Sequence, residues 1–179
     1  LARTEGVRFC ALKVILRSKC PDEDHFRREQ RAVSFFTGNA ANVDGLISIL
    51  DWGFSPEDGI FYYAMPLADD FTASKILTPG TYRPDSLSER LSACSSLSVE
   101  ECFKLGIRLS QTLDRLHRRG LVHRDIKPGN VVFIDDKPII ADLGLAARPE
   151  DALSLVGTSN YVPPENHGHY SGDIYSLGK

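Results

Sequence analysis

Apolar positions along this chain follow two different periods, and the places where the period changes outline its elements. "RFCALKVIL", Arg8 to Leu16, is almost continuous in Phe, Cys, Ala, Val, Ile and Leu, and predicts a largely buried strand with one lysine, Lys13, inside it. After a helix entry at Pro21 and Asp22, "DHFRREQRAVSFF" places Phe26, Val33 and Phe36 at helical spacing, and Gly38 ends the run. Glu29, three after Phe26 and four before Val33, projects from that apolar stripe. A lysine in a buried strand needs a partner, and an inward glutamate on the next helix is a candidate. "LISILDWGF" and "GIFYYAMPL" predict two further strands around the turn Ser-Pro-Glu-Asp-Gly.

From Asp69 to Ser98 the pattern breaks into Thr, Ser, Pro and Gly punctuation around a short helix at Leu87 to Leu91, which reads as a connector and surface insertion. "SVEE" then offers a capping box from Ser98 to Glu101, and Leu105, Leu109, Leu113 and Leu116 carry a core-facing helix to Gly120. "NVVFI", "DDK" and "PIIADLG" predict a hairpin whose second strand delivers Asp142 beside a glycine. Between helix and hairpin stands "HRDIKPGN", His123 to Asn130, a loop held at both ends, which is where chemistry is commonly placed. The expected organisation is a small lobe over 1–67, a hinge and connector over 68–98, and a second lobe over 99–179 with the functional loops.

Composition narrows the class. With 179 residues, 42% hydrophobic and 25% charged, the chain has the make-up of a globular protein. A net charge of -3 disfavours a nucleic-acid partner, and no apolar run approaches the roughly 20 residues of a membrane span. Cys10, Cys20, Cys94 and Cys102 form no CxxC pair, so a reducing, cytoplasmic compartment is expected. His167 and His169 lack cysteine or carboxylate support and read as loop residues rather than zinc ligands.

"ALKV", Glu29, "HRDIKPGN", "DLG" and "VPPE" occur in an order that resembles the eukaryotic-type (Hanks-type) serine/threonine protein kinases over nearly the whole chain, and the octet is the most specific element. The resemblance implies an α+β, two-lobed protein-kinase-like fold, here partial: a small antiparallel-sheet lobe with one helix and a mainly helical large lobe. It implies transfer of the γ-phosphoryl group of ATP to Ser/Thr hydroxyls of a protein substrate, with Mg²⁺. Lys13 would grip the α and β phosphates with Glu29 holding its ammonium. Asp125 would orient the substrate hydroxyl and take its proton, Lys127 would stabilise the phosphoryl group in transit, and Asn130 and Asp142 would supply hard oxygen ligands to the metal. These types belong together because phosphoryl transfer needs positioning and charge neutralisation more than covalent chemistry.

By position, the same resemblance makes Met65 the gatekeeper and Pro66 and Ala68 the backbone readers of the adenine edge. Ala11 and Val132 would sandwich the ring, and Leu143 replaces the usual Phe. Thr158 resembles the threonine that contacts Asp and Lys in Ser/Thr-specific members, and "KPGN" points the same way. Arg124 would pair with a phosphorylated Ser154. Nothing in "LARTEGVRF" supplies the family's glycine-rich loop, expected before Leu1. The later helices of the large lobe, with the arginine that normally pairs Glu165, are expected beyond Lys179. A pseudokinase scaffold and a small-molecule phosphotransferase stay open as alternatives. "MPLADD" resembles the hinge of bacterial members, many tethered to a membrane outside the catalytic domain, so a cytoplasmic membrane face is a second expected location; the oligomeric state is left open.

Overall fold

In the computed structural model, residues 2–3, 9–39, 43–72, 78, 80–94, 96–151, 157–164 and 169–179 are described. Strands β1 (Ala2–Arg3), β2 (Phe9–Leu16), β3 (Asp51–Ser55) and β4 (Ile60–Pro66) form one antiparallel sheet in the order β1-β2-β4-β3. The β2–β4 register sets Lys13 opposite Tyr63, Ala11 opposite Met65 and Cys10 opposite Pro66. Helix α1 (Glu23–Asn39) starts where the Asp22 side chain accepts the His25 N–H at 2.6 Å, and it continues one residue past Gly38. Its stripe of Phe26, Val33 and Phe36 is buried. Phe26 and Val33 join Ile15, Phe61 and Tyr63 in a small core, whereas Phe36 enters a larger core. The helix therefore belongs to both bodies.

Two expectations about the small sheet change. Strand β2 is buried on one face only: Leu12, Val14 and Leu16 are exposed, because a single helix covers a single side of the sheet. "LISILDWGF" is a strand only from Asp51. Leu46 and Ile47 are buried in the larger core, and Ile47 donates its N–H to Ile140 at 2.9 Å, so the start of this segment is tied to the far hairpin, while Leu50 donates to Ala64 of β4 at 2.8 Å.

The larger body contains α2 (Leu87–Cys94), α3 (Val99–His117), the hairpin β5 (Val131–Ile134) and β6 (Lys137–Ile140), and α4 (Tyr170–Leu177). Helix α3 begins with the expected capping box of Ser98 and Glu101 and buries Leu109, Thr112, Leu113 and Leu116. The β5–β6 turn uses positive φ at Asp135 and Asp136, 50° and 59°, as a tight hairpin turn requires. The Asp69 carboxylate caps both of their N–H groups at 3.1 and 3.0 Å. Residues 80–94 do more than connect. Ser86 bridges to Val132, Leu87 enters the large core, and Arg90 lies over the Phe133 ring, so α2 is fixed against the hairpin that follows the His123–Asn130 octet. Among the described residues no helix is long and apolar enough to cross a membrane.

Candidate active site

Three elements meet at the Lys13 ammonium. Its Nζ lies 3.2 Å from Glu29 Oε1 on α1 and 2.8 Å from Asp142 Oδ1 beyond β6. Glu29 is buried, as its place on the apolar stripe required. Asp142 takes a left-handed φ of 59°, and its carboxylate also accepts the Gly144 N–H at 3.3 Å. Leu143, fully buried, plugs the large core and fixes that turn. A Cβ on Gly144 would overlap the Glu29 carboxylate, so the glycine is what lets the turn close on α1. Burial works against charge on Lys13, but the Tyr63 hydroxyl, Asp142 and Glu29 outweigh it and hold the lysine pKa above its ordinary value. Burial likewise opposes the Asp142 carboxylate, yet Lys13 and the Gly144 N–H bring its pKa below the ordinary one.

The octet is stitched to the same place. His123, fully buried, sets its Nε2 3.1 Å from the Ala141 carbonyl, and the Ala141 N–H donates to the Asn130 carbonyl at 2.7 Å. Asp142 is thus held beside the loop by its neighbour's backbone. Arg124 has a φ of 72°, an uncommon conformation for a side-chain-bearing residue. It is stabilised by Asp173 of α4, whose oxygens accept the His123 and Arg124 N–H groups, each at 2.8 Å, while His117 Nε2 lies 2.8 Å from the same carboxylate.

Around Asp125 the side chains form a closed set. Thr158 Oγ1 donates to Asp125 Oδ1 at 2.8 Å and accepts from Lys127 Nζ at 2.8 Å, and Lys127 Nζ is 2.7 Å from Asp125 Oδ2. Asn130 Nδ2 donates to the Asp125 carbonyl and to its Oδ2, both at 2.8 Å. Burial raises the Asp125 pKa, but bonds from Lys127, Thr158 and Asn130 exceed that and leave it lowered. Thr158 reaches the loop because Gly157, at φ 116°, allows the chain to pass the Arg124 carbonyl, which a Cβ there would meet at 2.7 Å.

At the end of β4, Met65 packs against both cores, and Pro66 follows. The Ala68 carbonyl accepts from the Tyr82 hydroxyl at 3.1 Å. Ala11 lies on the small sheet opposite Met65, and Val132 on β5. Arg124 shares a cleft of about 760 Å³ with Arg28, Arg31 and Arg148. Burial, and then the like charge of Arg28, lowers the pKa of its guanidinium. Ser154, its expected phosphate partner, lies outside the described residues, as do Glu165 and His167.

Among the described residues no group of three or more His, Cys, Asp or Glu is placed to hold a metal. Asp142 and Asn130 fit a hard cation that takes its other oxygens from water and phosphates, as Mg²⁺ does. The Asn130 amide nitrogen is committed to Asp125, so its Oδ1 is the atom left for that role. Sequence reasoning missed Asp173, and gave Gly144 no role beyond its place in "DLG". The signals were an aspartate opening a helix of small and apolar residues, and a glycine where a strand end must approach a helix.

The chain is 32% identical to the DNA damage-responsive serine/threonine-protein kinase RqkA of Deinococcus radiodurans over 94% of its own length, and 31% identical to the probable serine/threonine-protein kinase PkwA of Thermomonospora curvata over 99%. A probable serine/threonine-protein kinase of Clostridium perfringens is 26% identical over 96%. The chain spans about a quarter of the length of each, at 24%, 23% and 24%. The protein kinase domain matches residues 4–179. With that match over nearly its whole length, the chain belongs to the protein kinase domain family.

Proposed function

We propose that this chain forms the catalytic core of an ATP-dependent protein kinase that phosphorylates serine or threonine hydroxyls, with its lobes divided near 1–67 and 99–179 and α2 attached to the larger. The observation that carries this reading is the Lys13 ammonium held between Glu29 and Asp142, since it poises a cation beside a metal-binding carboxylate. In the reaction an oxygen of the substrate hydroxyl bonds to the γ-phosphorus of ATP, the bond to the β-phosphate oxygen breaks and ADP leaves, with bound Mg²⁺ neutralising phosphate charge.

The chain's own residues do the rest. Asp125, kept ionised by Lys127, Thr158 and Asn130, orients the hydroxyl and receives its proton. Lys127 is placed to neutralise the group in transit, and Lys13 positions the α and β phosphates. Asn130 and Asp142 hold the cation. Pro66, through its carbonyl, and Ala68, through its N–H, read the adenine edge behind Met65, between Ala11 and Val132. The closed set of Asp125, Lys127 and Thr158 favours a protein hydroxyl as acceptor over a scaffold role. Phosphorylated Ser154 is the proposed anion for the Arg124 cleft, where Arg28, Arg31 and Arg148 supply further positive charge; a Ser154→Ala variant with unchanged activity removes this part. The test is transfer of labelled γ-phosphate from ATP to a generic protein by the full-length protein, with Asp125→Ala as control. Transfer lost in the variant supports the reading, and equal transfer by both removes it.

A further inference from the structure

Helix α2 turns toward the catalytic octet a face that carries no charge. Its two ionic side chains are engaged elsewhere: Glu89 pairs with Arg83, and Arg90 makes two hydrogen bonds to Asp85, of 2.9 and 2.6 Å, while stacking on Phe133. Ser88, Leu91 and Ser92, spaced i, i+3 and i+4, share the remaining side. They form one wall of a groove of about 480 Å³, and Lys127, Pro128, Gly129 and Tyr161 form the other.

The groove begins at Lys127, two residues from Asp125, the group that orients the acceptor hydroxyl in the reading above. No carboxylate lines it among the described residues. The one cation among those lining residues, Lys127, is already matched by Asp125 at 2.7 Å. An arginine or lysine entering here would lose water without gaining a counter-charge, and an acidic side chain would compete with Asp125 for Lys127. A small hydroxylated or apolar side chain meets neither penalty, because Leu91 and Pro128 offer apolar surface and Ser88, Ser92 and Tyr161 offer hydroxyls.

Resting on the kinase reading above, we infer that this groove reads the residues flanking the phospho-acceptor of a protein substrate and selects uncharged side chains over arginine and lysine. Ser88 and Ser92 are then the positions that set the preference. Ser88 lies in the first turn of α2, where a carboxylate also suits the helix dipole, so a glutamate there is compatible with folding.

The test uses the full-length protein and two serine peptides that differ only in carrying leucine or arginine at the flanking positions. Both kcat/KM and nucleotide-free binding by fluorescence anisotropy are read. The wild type is expected to favour the leucine peptide, and Ser88→Glu and Ser92→Glu are each expected to shift the ratio toward arginine by about fivefold, the worth of one partly exposed ion pair. A wild type that favours arginine, or a ratio unmoved in both variants, overturns the inference while leaving phosphate transfer, and so the kinase reading, intact. If no peptide is phosphorylated but anisotropy shows the expected ranking and shift, the kinase reading fails and the groove's selectivity stands.

Discussion

Asp173 holds Arg124 in a left-handed backbone conformation by accepting its N–H at 2.8 Å from the start of a different helix. The second carboxylate oxygen takes the His123 N–H, so both halves of this buried group are used on the loop that carries Asp125. Asp173→Asn would set an NH₂ against one of those donors. A buried unsatisfied donor costs about 1–3 kcal/mol, so a lower Tm is expected together with a loss of phosphate transfer larger than the loss of ATP binding. Unchanged transfer at full stability would show that the clamp does not position the loop.

Gly144 and Glu29 compete for the same space. Gly144→Ala is expected to push the Glu29 carboxylate off Lys13 and lower transfer by about tenfold or more, a cost of at least 1.4 kcal/mol. Because the damage runs through Glu29, the double variant Gly144→Ala with Glu29→Ala should lose little beyond Glu29→Ala alone. Fully additive losses in the rate assay would contradict the shared cause.

Thr158 acts through its hydroxyl alone, donating to Asp125 and accepting from Lys127. Thr158→Ser keeps that oxygen and is expected to stay within about threefold of wild-type kcat, while Thr158→Ala should fall by about tenfold to a hundredfold, in the range of a lost positioning contact. Steady-state kinetics of the pair decides it; equal losses in both would assign the role to the methyl group.

Acid should reach the site late. The folded pKa values of Asp125 and Asp142 lie below the ordinary aspartate value of 3.8, so the stability they confer is present above that value and is lost as the pH falls through the lower folded values. Lys13 is raised above 10.5, so its contribution is full below that value and lost only at higher pH. No step from these groups is expected between about pH 5 and 9 in thermal unfolding or in rate. A rate limb inside that window that vanishes in Asp125→Asn would contradict the assignment.

Lys13 and Glu29 were legible as partners because strand and helix periods each fix a facing direction, and two inward charges of opposite sign have little choice but each other. The octet and Asp142 were legible through motif order. Periodicity could not reveal that Leu12, Val14 and Leu16 face outward, since an apolar strand looks the same whether one or both sides are covered. Nor could it show that Leu46 and Ile47 join the distant hairpin rather than the nearby sheet, because that choice is made by long-range packing. Asp173 stayed hidden for a related reason: two of its partners are backbone N–H groups, which leave no trace in side-chain patterns, and the third, His117, is 56 residues away along the chain.

The most direct measurement is the rate of γ-phosphate transfer from ATP by full-length protein carrying Lys13→Met or Asp142→Asn, with folding checked by circular dichroism. If the ammonium between Glu29 and Asp142 organises the site, both variants stay folded and each loses about a hundredfold or more in rate, at least 2.7 kcal/mol of transition-state stabilisation. Folded variants that transfer phosphate at the wild-type rate would contradict it.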